Sequence, residues 1–264
     1  MQIRYVVSTM VFWGRENSLS FEQECEFLQS LGYGIELWPH IKGNLDCRYR
    51  RSNWTRLAEA TEGMLVTMRS RDDNPTFEQW KEQIECAKLL DAHIVTDLNS
   101  LGIPETHDLN GCDFAGEVIH LAQQNDVRLC IESGRLPLLK QIGKRFDSIW
   151  YCLDTGYANV NGEYSFKQYV DELAPRVAHL HLTDNYGHSD DHVPPGLHGG
   201  MPIENWQYLL NILNKYGNDI IGSLEMSPSL PGVMIRQASD FLFERLNWPN
   251  KPQKAEWLRT WLPN

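Results

Sequence analysis

Short runs of β-branched and aromatic residues alternate with longer amphipathic stretches along the chain. This alternation is typical of repeated βα units that build a parallel sheet. Eight such units can be counted in the 264 residues. The predicted strands are Ile3–Ser8, Gly34–Trp38, Leu65–Met68, Ile94–Leu98, Val127–Glu132, Trp150–Asp154, Val177–Leu182 and Ile220–Glu225.

Amphipathic helices are predicted where apolar residues return every three or four positions, as packing against a sheet requires. The clearest ones are Phe21–Leu31, Phe77–Leu90, Phe114–Gln124, Trp206–Tyr216 and Ile235–Leu246. Ser20 and Thr76 stand directly before two of these runs, where their hydroxyls can cap free backbone N–H groups. Gly32 and Gly217 follow helices at positions where a left-handed C-cap is expected.

The number of units predicts a single (β/α)8 TIM barrel of the α/β class, because a closed sheet leaves no exposed edge. We expect residues 1–264 to form one domain, with residues 248–264, which contain several prolines and tryptophans, as a C-terminal cap or tail. A doubly wound open sheet is the alternative. It would normally carry a glycine-rich phosphate-binding turn after an early strand, whereas no such motif follows Ser8.

Composition and charge narrow the classes of function. Hydrophobic residues make up 42% and charged residues 22% of the chain, as in an ordinary folded protein. The net charge of -11 would repel a polyanion, so nucleic acid is not expected as a partner. The six cysteines are scattered without CxxC pairs, which favours a reducing compartment. Without a secretory signal or a stretch that could span a bilayer, we expect a cytoplasmic protein with no membrane partner.

Polar groups stand at the ends of the last four predicted strands. Strands five, six and eight end at Glu132, Asp154 and Glu225, and strand seven carries His179 and His181. The carboxyl ends of barrel strands converge on one mouth, so these side chains are expected to meet there. A divalent cation would offset the repulsion among three carboxylates. Oxygen-rich ligands with one imidazole favour Mn²⁺ or Mg²⁺, and Co²⁺, Fe²⁺ or Zn²⁺ is also compatible.

The residues one layer below the polar strand ends are small or of modest size, as expected beneath a site in a filled barrel interior. Side chains alternate along a strand, so His179 shares a face with His181, and Ser223 shares one with Glu225. We expect His179 to be a buried, hydrogen-bonded histidine and not a ligand.

Five segments resemble motifs of the xylose isomerase-like superfamily of sugar isomerases and epimerases. They are Ile-Glu-Leu-Trp at 35–38, Ile-Glu-Ser-Gly at 131–134, Leu-Asp-Thr-Gly at 153–156, His-Leu-His-Leu-Thr-Asp-Asn at 179–185 and Leu-Glu-Met at 224–226. The resemblance covers essentially the whole chain and implies Glu132, Asp154, His181 and Glu225 as metal ligands. The superfamily also includes inosose dehydratases and type IV apurinic endonucleases, so fold and metal site transfer better than the reaction.

The loop after strand seven resembles the same families. Asp190 and His192 match the Asp-x-His pair that completes a multinuclear zinc site in the endonucleases, and here they are candidates for a second metal, for substrate hydroxyls or for a polar surface loop. However, Tyr157 stands where those enzymes have a histidine, and strands three and four end without one. One ion is therefore expected instead of a cluster. His198 stands where many relatives have the glutamate of Gly-Glu-Gly.

The metal site and the resemblance together imply an isomerase or epimerase that acts on a sugar or related keto-polyol by proton transfer through a metal-bound enediolate. Glu132 and Glu225 are the candidate catalytic residues. The candidate substrate-binding residues are Glu36, Trp38, Tyr157, Asp190, His192 and His198. Further candidates for the pocket wall are Trp13, His40, Arg69, Asp97 and Asn99.

Other functions stay open at this point. The same ligands would serve a lyase of the inosose dehydratase type or a hydrolase, an endonuclease IV-like DNA repair enzyme, or a binding barrel without catalysis. The late loops carry no strong cluster of Arg and Lys, which favours an unphosphorylated sugar as the small-molecule substrate. The tryptophan-rich tail is compatible with a homodimer.

Overall fold

Eight parallel strands form the centre of the structure, a computed structural model that describes residues 1–13, 19–39, 47–71, 74–103, 113–132, 134–198, 200–228 and 231–252. The strands β1 to β8 are Gln2–Ser8, Gly34–Leu37, Val66–Arg69, His93–Thr96, Leu129–Glu132, Trp150–Asp154, Val177–His181 and Asp219–Leu224. Each strand pairs in parallel with the next, and β8 pairs with β1, so the sheet closes into a barrel. The predicted TIM barrel is confirmed.

Helices connect the strands on the outside of the barrel. In the described part of the chain, α1 to α9 are Phe21–Ser30, Trp54–Ala60, Phe77–Leu89, Asp113–Gln124, Leu136–Arg145, Thr155–Val160, Phe166–Leu173, Ile203–Tyr216 and Pro231–Ser239. The predicted caps are present: Ser20 and Thr76 accept hydrogen bonds from the backbone N–H groups of Gln23 and Gln79. Gly217 ends α8 in the left-handed conformation. No helix in these ranges is long and apolar enough to cross a membrane.

Several strand and helix boundaries differ from the predicted ones, because turns take up residues at the ends of the hydrophobic runs. The predicted strand to Leu98 stops at Thr96, since the carbonyl of Leu98 accepts hydrogen bonds in a turn. Val127 belongs to the turn before β5, and its N–H donates to the carbonyl of Ala122. The predicted last helix is split into α9 and a turn of π-helix at Asp240–Arg245.

The main core lies between the barrel wall and the helices. Trp80 of α3 and Trp206 of α8 are fully buried there. The first residues of the predicted C-terminal cap pack on this structure, because Trp248 contacts Trp206 with ring centroids 6.2 Å apart. Tyr5 of β1 donates a hydrogen bond of 2.9 Å to the carbonyl of Pro249. Residues 253–264 of the predicted cap lie outside the described residues.

Candidate metal centre and active site

Four polar side chains meet where the last strands of the barrel end. Glu132 and Asp154 are the last residues of β5 and β6, His181 is the last residue of β7, and Glu225 follows β8 directly. Asp154 is paired in register with His181, so the two side chains reach the same height in the barrel. One ligand atom from each of the four residues lies within 4.8 Å of the others. The structure therefore brings together the four predicted metal ligands.

The Nδ1 atom of His181 is at the centre of the cluster. It lies 3.0 Å from Glu225 Oε2 and 3.8 Å from Asp154 Oδ2, and it contacts Glu132 Oε1. All four side chains are buried. Glu225 Oε1 has no hydrogen bond partner among the described residues. Three carboxylates around one imidazole nitrogen, one of them with an unpartnered buried oxygen, fit a divalent cation by both charge and donor chemistry.

The pKa values of Asp154 and His181 reflect burial and the charges of their neighbours. Burial raises the pKa of Asp154 to about 7, and the nearby carboxylates of Asp190 and Glu132 add to this effect. Burial alone would lower the pKa of His181, but Cys152 and the surrounding carboxylates raise it well above its ordinary value. The ion-free cluster therefore retains protons, which a bound divalent ion would displace.

Arg69, the last residue of β3, contacts the second oxygen of Glu132. Burial would raise the pKa of Glu132, but Arg69 and His181 outweigh it and hold the pKa at about 2. The guanidinium also lies over the ring of Trp38, 5.7 Å from its centroid. Glu132 thus bridges His181 on one side and Arg69 on the other, and it stays ionised.

The predicted Asp-x-His pair lies at the same mouth. His192 Nε2 is 3.4 Å from Asp190 Oδ2, and His192 Nδ1 is 3.7 Å from Glu225 Oε2. Burial opposes ionisation of His192, but Asp190 and Glu225 raise its pKa to about 9. The pair is therefore attached to the edge of the four-residue cluster.

A cleft with a volume of about 190 Å³ opens above the cluster. It is lined by Met10, Trp38, Arg69, Glu132, Asp154, Tyr157, Asp190, His192 and Glu225. Met10 was not predicted; it lies in the 3-10 turn that follows β1, and its position directly after a strand end was the only signal. The predicted wall residue Trp13 packs edge-on against Trp38, with ring centroids 5.1 Å apart.

Other expected wall residues do not line this cleft. Glu36 is fully buried, and His198 is exposed to solvent. The Asp97 carboxylate accepts a hydrogen bond of 2.7 Å from the backbone N–H of Ser100. Asn99 is exposed to solvent. His40 lies outside the described residues.

Glu36 differs from the expectation because its carboxylate lies in the barrel interior below the ligands. It accepts hydrogen bonds from Ser223 Oγ at 2.9 Å and from Thr67 Oγ1 at 3.2 Å. His179 Nε2 lies 3.0 Å from its Oε2. Burial would raise the pKa of Glu36, but His181 and His179 lower it well below its ordinary value. His179 is fully buried beside this carboxylate, and its ring centroid lies 5.2 Å from that of His181.

Hydrogen bonds from two threonines fix the ligands from behind. Thr183 Oγ1 donates to Asp154 Oδ1 at 3.1 Å, and the N–H of Tyr157 donates to the same oxygen at 2.8 Å. Thr155 Oγ1 donates to the carbonyl of His181 at 3.0 Å. The sequence analysis did not identify these roles, although both threonines belong to the motifs quoted there, Thr155 directly after Asp154 and Thr183 two residues after His181.

Asp184 organises the loop that carries the Asp-x-His pair. It is buried and accepts hydrogen bonds from the backbone N–H groups of Asn185, Gly196 and Met201, at 2.8, 3.1 and 2.6 Å. Burial raises its pKa, and these hydrogen bonds oppose the shift. The loop around the mouth is therefore held by its own buried carboxylate.

Comparison with known proteins gives a family and a set of similar folds. A sequence search among curated proteins gives no match. A structure of D-psicose 3-epimerase in the presence of D-fructose has a TM-score of 0.61 at 17% identity, over 92% of this chain and 99% of that chain. L-ribulose 3-epimerase has a TM-score of 0.59 at 15% identity, over 98% of this chain and 92% of that one.

A sugar phosphate isomerase/epimerase from Parabacteroides distasonis has a TM-score of 0.62 at 11% identity, over 96% of this chain and 98% of that one. At these identities the likeness shows a shared fold. The profile of one family matches residues 60–245, which is more than half of the chain. The chain belongs to the family described as Xylose isomerase-like TIM barrel.

Proposed function

We propose that this protein is a metal-dependent isomerase or epimerase that acts on a sugar or a related keto-polyol. The observation that carries the proposal is the cluster of three carboxylates and one imidazole at the barrel mouth, open to a cleft of about 190 Å³. The two epimerases with a similar fold support the choice of reaction class. A cleft of this size accommodates a small molecule, and the mouth of the barrel is where catalytic groups of this fold lie.

Glu132, Asp154, His181 and Glu225 would hold one divalent ion, with Mn²⁺ or Mg²⁺ favoured by the oxygen-rich donors. Such an ion supplies a Lewis acid that polarises a carbonyl group. The neighbouring Asp190 and His192 are proposed to bind hydroxyls of the substrate at the edge of the cleft. Trp38 and Tyr157 are proposed to form its apolar and aromatic wall.

Glu132 and Glu225 are proposed to move the proton at the carbon next to the carbonyl. They differ in whether a carboxylate oxygen is left without a partner. Glu225 Oε1 has no hydrogen bond partner among the described residues and is available to accept a proton. In Glu132, by contrast, Oε2 contacts Arg69, and the carboxylate is held in its ionised form. We therefore assign proton removal to Glu225. Arg69 holds Glu132 as an anion, so Glu132 would first have to take up a proton from water or a substrate hydroxyl before it could deliver one to the other face.

The charges at the mouth favour a neutral substrate. Among the described residues, four carboxylates line the cleft, those of Glu132, Asp154, Asp190 and Glu225. Arg69, a protonated His192 and one divalent ion together balance this negative charge but do not exceed it. An anionic group on the substrate would therefore meet no excess of positive charge, so we propose an unphosphorylated sugar as the substrate.

The other candidate functions use the same ligands but have less support. A lyase or a hydrolase would need the same ion, and no described contact favours either one. A DNA repair enzyme of the endonuclease IV type would need more metal ligands than this mouth offers among the described residues. Tyr157 and Arg69 line the cleft, and neither supplies a histidine for a multinuclear zinc site. The net charge of -11 also opposes DNA binding.

The test is solvent-deuterium exchange. Protein stripped of metal and reloaded with Mn²⁺ is incubated in D₂O with a panel of free ketoses. The sugars are then separated, and the deuterium content of each is measured by mass spectrometry. We expect one sugar to gain one deuterium and to appear as its epimer or aldose. Glu225→Gln, measured with bound Mn²⁺ verified, should lower kcat by about a hundred- to ten-thousand-fold.

The matched control is Glu24→Gln, which removes another buried carboxylate, on α1 and outside the cleft. It should retain the activity of the wild type. Deuterium-free products with an absorbing enone would instead indicate a lyase, and cleavage of abasic DNA with several zinc ions per chain would indicate an endonuclease. No exchange with any ketose by a Mn²⁺-loaded protein would refute the proposal.

A further inference from the structure

Glu36 is a fully buried carboxylate that the proposed chemistry does not use. It belongs to β2 and lies inside the barrel, where side chains from three other strands reach it. Thr67 of β3 and Ser223 of β8 donate one hydrogen bond to each of its two oxygens. A buried charge is costly unless several donors surround it, so these groups make an ionised Glu36 tolerable at this depth.

Two histidines of β7 complete the surroundings of Glu36. His179 Nε2 lies 3.0 Å from Oε2, and His181 Nε2 lies 3.3 Å from Oε1. Both imidazole rings are fully buried, and His181 Nε2 has no hydrogen bond that meets geometric criteria with any described residue. The carboxylate of Glu36 lies at ion-pair distance from this nitrogen and is an acceptor that a small rotation of the ring would engage.

The other nitrogen of His181 faces the three carboxylates of the ligand cluster. His181 Nδ1 lies 3.0 Å from Glu225 Oε2 and contacts Glu132. A histidine nitrogen binds an ion through its lone pair, so a neutral ring that binds through Nδ1 must carry its proton on Nε2. The two sides of the ring therefore need different partners, an ion on one side and a hydrogen bond acceptor on the other.

We propose that Glu36 is a positioning residue, which accepts the Nε2–H of His181 and so holds Nδ1 toward the ligand cluster. It rests on the metal site of the proposed function but not on the identity of the substrate. Thr67, Ser223 and His179 fix the carboxylate itself, and through it the orientation of the ring. Glu36 does not line the cleft, so it acts through His181 and not on a substrate.

Partners of this kind commonly change metal affinity by about ten- to a hundred-fold when they are removed. Glu36→Gln keeps the shape of the side chain and one acceptor oxygen, whereas Glu36→Met removes every acceptor. We therefore expect Mn²⁺ to bind about ten-fold more weakly to the first variant, and closer to a hundred-fold more weakly to the second. Glu24→Gln is the control, because it removes a buried carboxylate far from the strand ends.

Mn²⁺ affinity is measured by calorimetry on metal-stripped protein, and thermal unfolding in chelator shows that each variant is folded. Proton NMR of the ion-free protein provides a readout that does not depend on metal or activity. The wild type should show a slowly exchanging, downfield Nε2–H resonance, assigned to His181 by its loss in His181→Gln. Glu36→Met should lose it, and the Glu24→Gln control should keep it.

The outcomes separate the inference from the proposed function. Wild-type Mn²⁺ affinity in both folded Glu36 variants, or an unchanged Nε2–H resonance in Glu36→Met, would overturn the positioning role. A wild type that binds no divalent ion would refute the metal-dependent function, and the NMR result would still judge the contact between Glu36 and His181. Weakened Mn²⁺ binding in the Glu36 variants, together with no turnover of any ketose by the wild type, would support the inference and show that the proposed reaction class is wrong.

Discussion

Replacement of Asp154 by Asn should make the ion-free protein more stable while it removes a proposed metal ligand. Both hydrogen bonds that Asp154 accepts, from Thr183 Oγ1 and from the N–H of Tyr157, end on Oδ1. An amide oxygen can take over both bonds at the same place. The substitution therefore removes a negative charge from beside Glu132 and Asp190 with little change in packing.

The size of the effect follows from the pKa of this carboxyl. It is raised from 3.8 to about 7 by burial and by the carboxylates of Asp190 and Glu132. Each pKa unit corresponds to about 1.4 kcal/mol, so ionising Asp154 costs the folded ion-free protein about 4 kcal/mol. Because the folded state binds this proton more tightly than the unfolded state, stability falls as the pH rises from about 4 to about 7 and then stays constant.

The assay is urea unfolding of both proteins in chelator at a series of pH values. Near pH 3 the two should have similar free energies of unfolding, since Asp154 is then mostly protonated in both the folded and the unfolded state. Above about pH 7 the Asn variant should be more stable by several kcal/mol. Addition of Mn²⁺ should stabilise the wild type much more than the variant, because binding to the folded state raises its stability. A wild type that is as stable as the variant throughout this pH range would refute the reasoning.

Three other substitutions probe separate parts of the structure. Arg69→Met leaves Glu132 without its cation, so the ion-free protein should lose on the order of 3 kcal/mol in urea unfolding while Mn²⁺ binds more tightly in calorimetry. Leu209→Ala, at a fully buried position of α8, should cost about 2–5 kcal/mol and leave the Mn²⁺ affinity unchanged. Gly196→Ala should lower the melting temperature, because Gly196 has a φ of +79° and a Cβ there would lie 2.2 Å from the ring of Phe241. These expectations fail if Arg69→Met or Leu209→Ala unfolds with the free energy of the wild type, if Gly196→Ala keeps its melting temperature, or if Leu209→Ala changes the Mn²⁺ affinity.

The barrel and its ligands were predictable because both depend on short-range patterns. Alternation along a strand determines which side chains face inward, and the polar residues at the ends of β5 to β8 are the last inward positions of their strands. Glu132 and Asp154 end their strands as predicted, β7 ends at His181, one residue before the predicted end, and Glu225 follows β8 directly instead of ending it. No knowledge of distant contacts was needed for this step.

The role of Glu36 could not be read in the same way. Alternation places it inside the barrel, but its depth depends on how far neighbouring strands are shifted along one another. Glu36 is paired in register with Thr67 of β3, and His181 is paired with Ser223 of β8. Together these pairings bring Ser223 within hydrogen-bond distance of Glu36, although the two residues are 187 positions apart in the chain. Local sequence alone therefore could not show that Glu36 lies below the cleft.

Residues at different depths below the barrel mouth should have different effects. A residue below the ligand cluster should change metal affinity, and a residue that lines the cleft should change the preference among sugars. Glu36 contacts His181 but not the cleft, so its replacement should change the affinity for the ion and leave the choice among sugars unchanged at saturating metal. Tyr157 lines the cleft without belonging to the four-residue cluster, so Tyr157→Phe should change KM for one sugar relative to another at unchanged Mn²⁺ affinity. If Glu36→Gln altered sugar preference under saturating Mn²⁺, the two layers would not be independent, and the ring of His181 would have to reach the substrate itself.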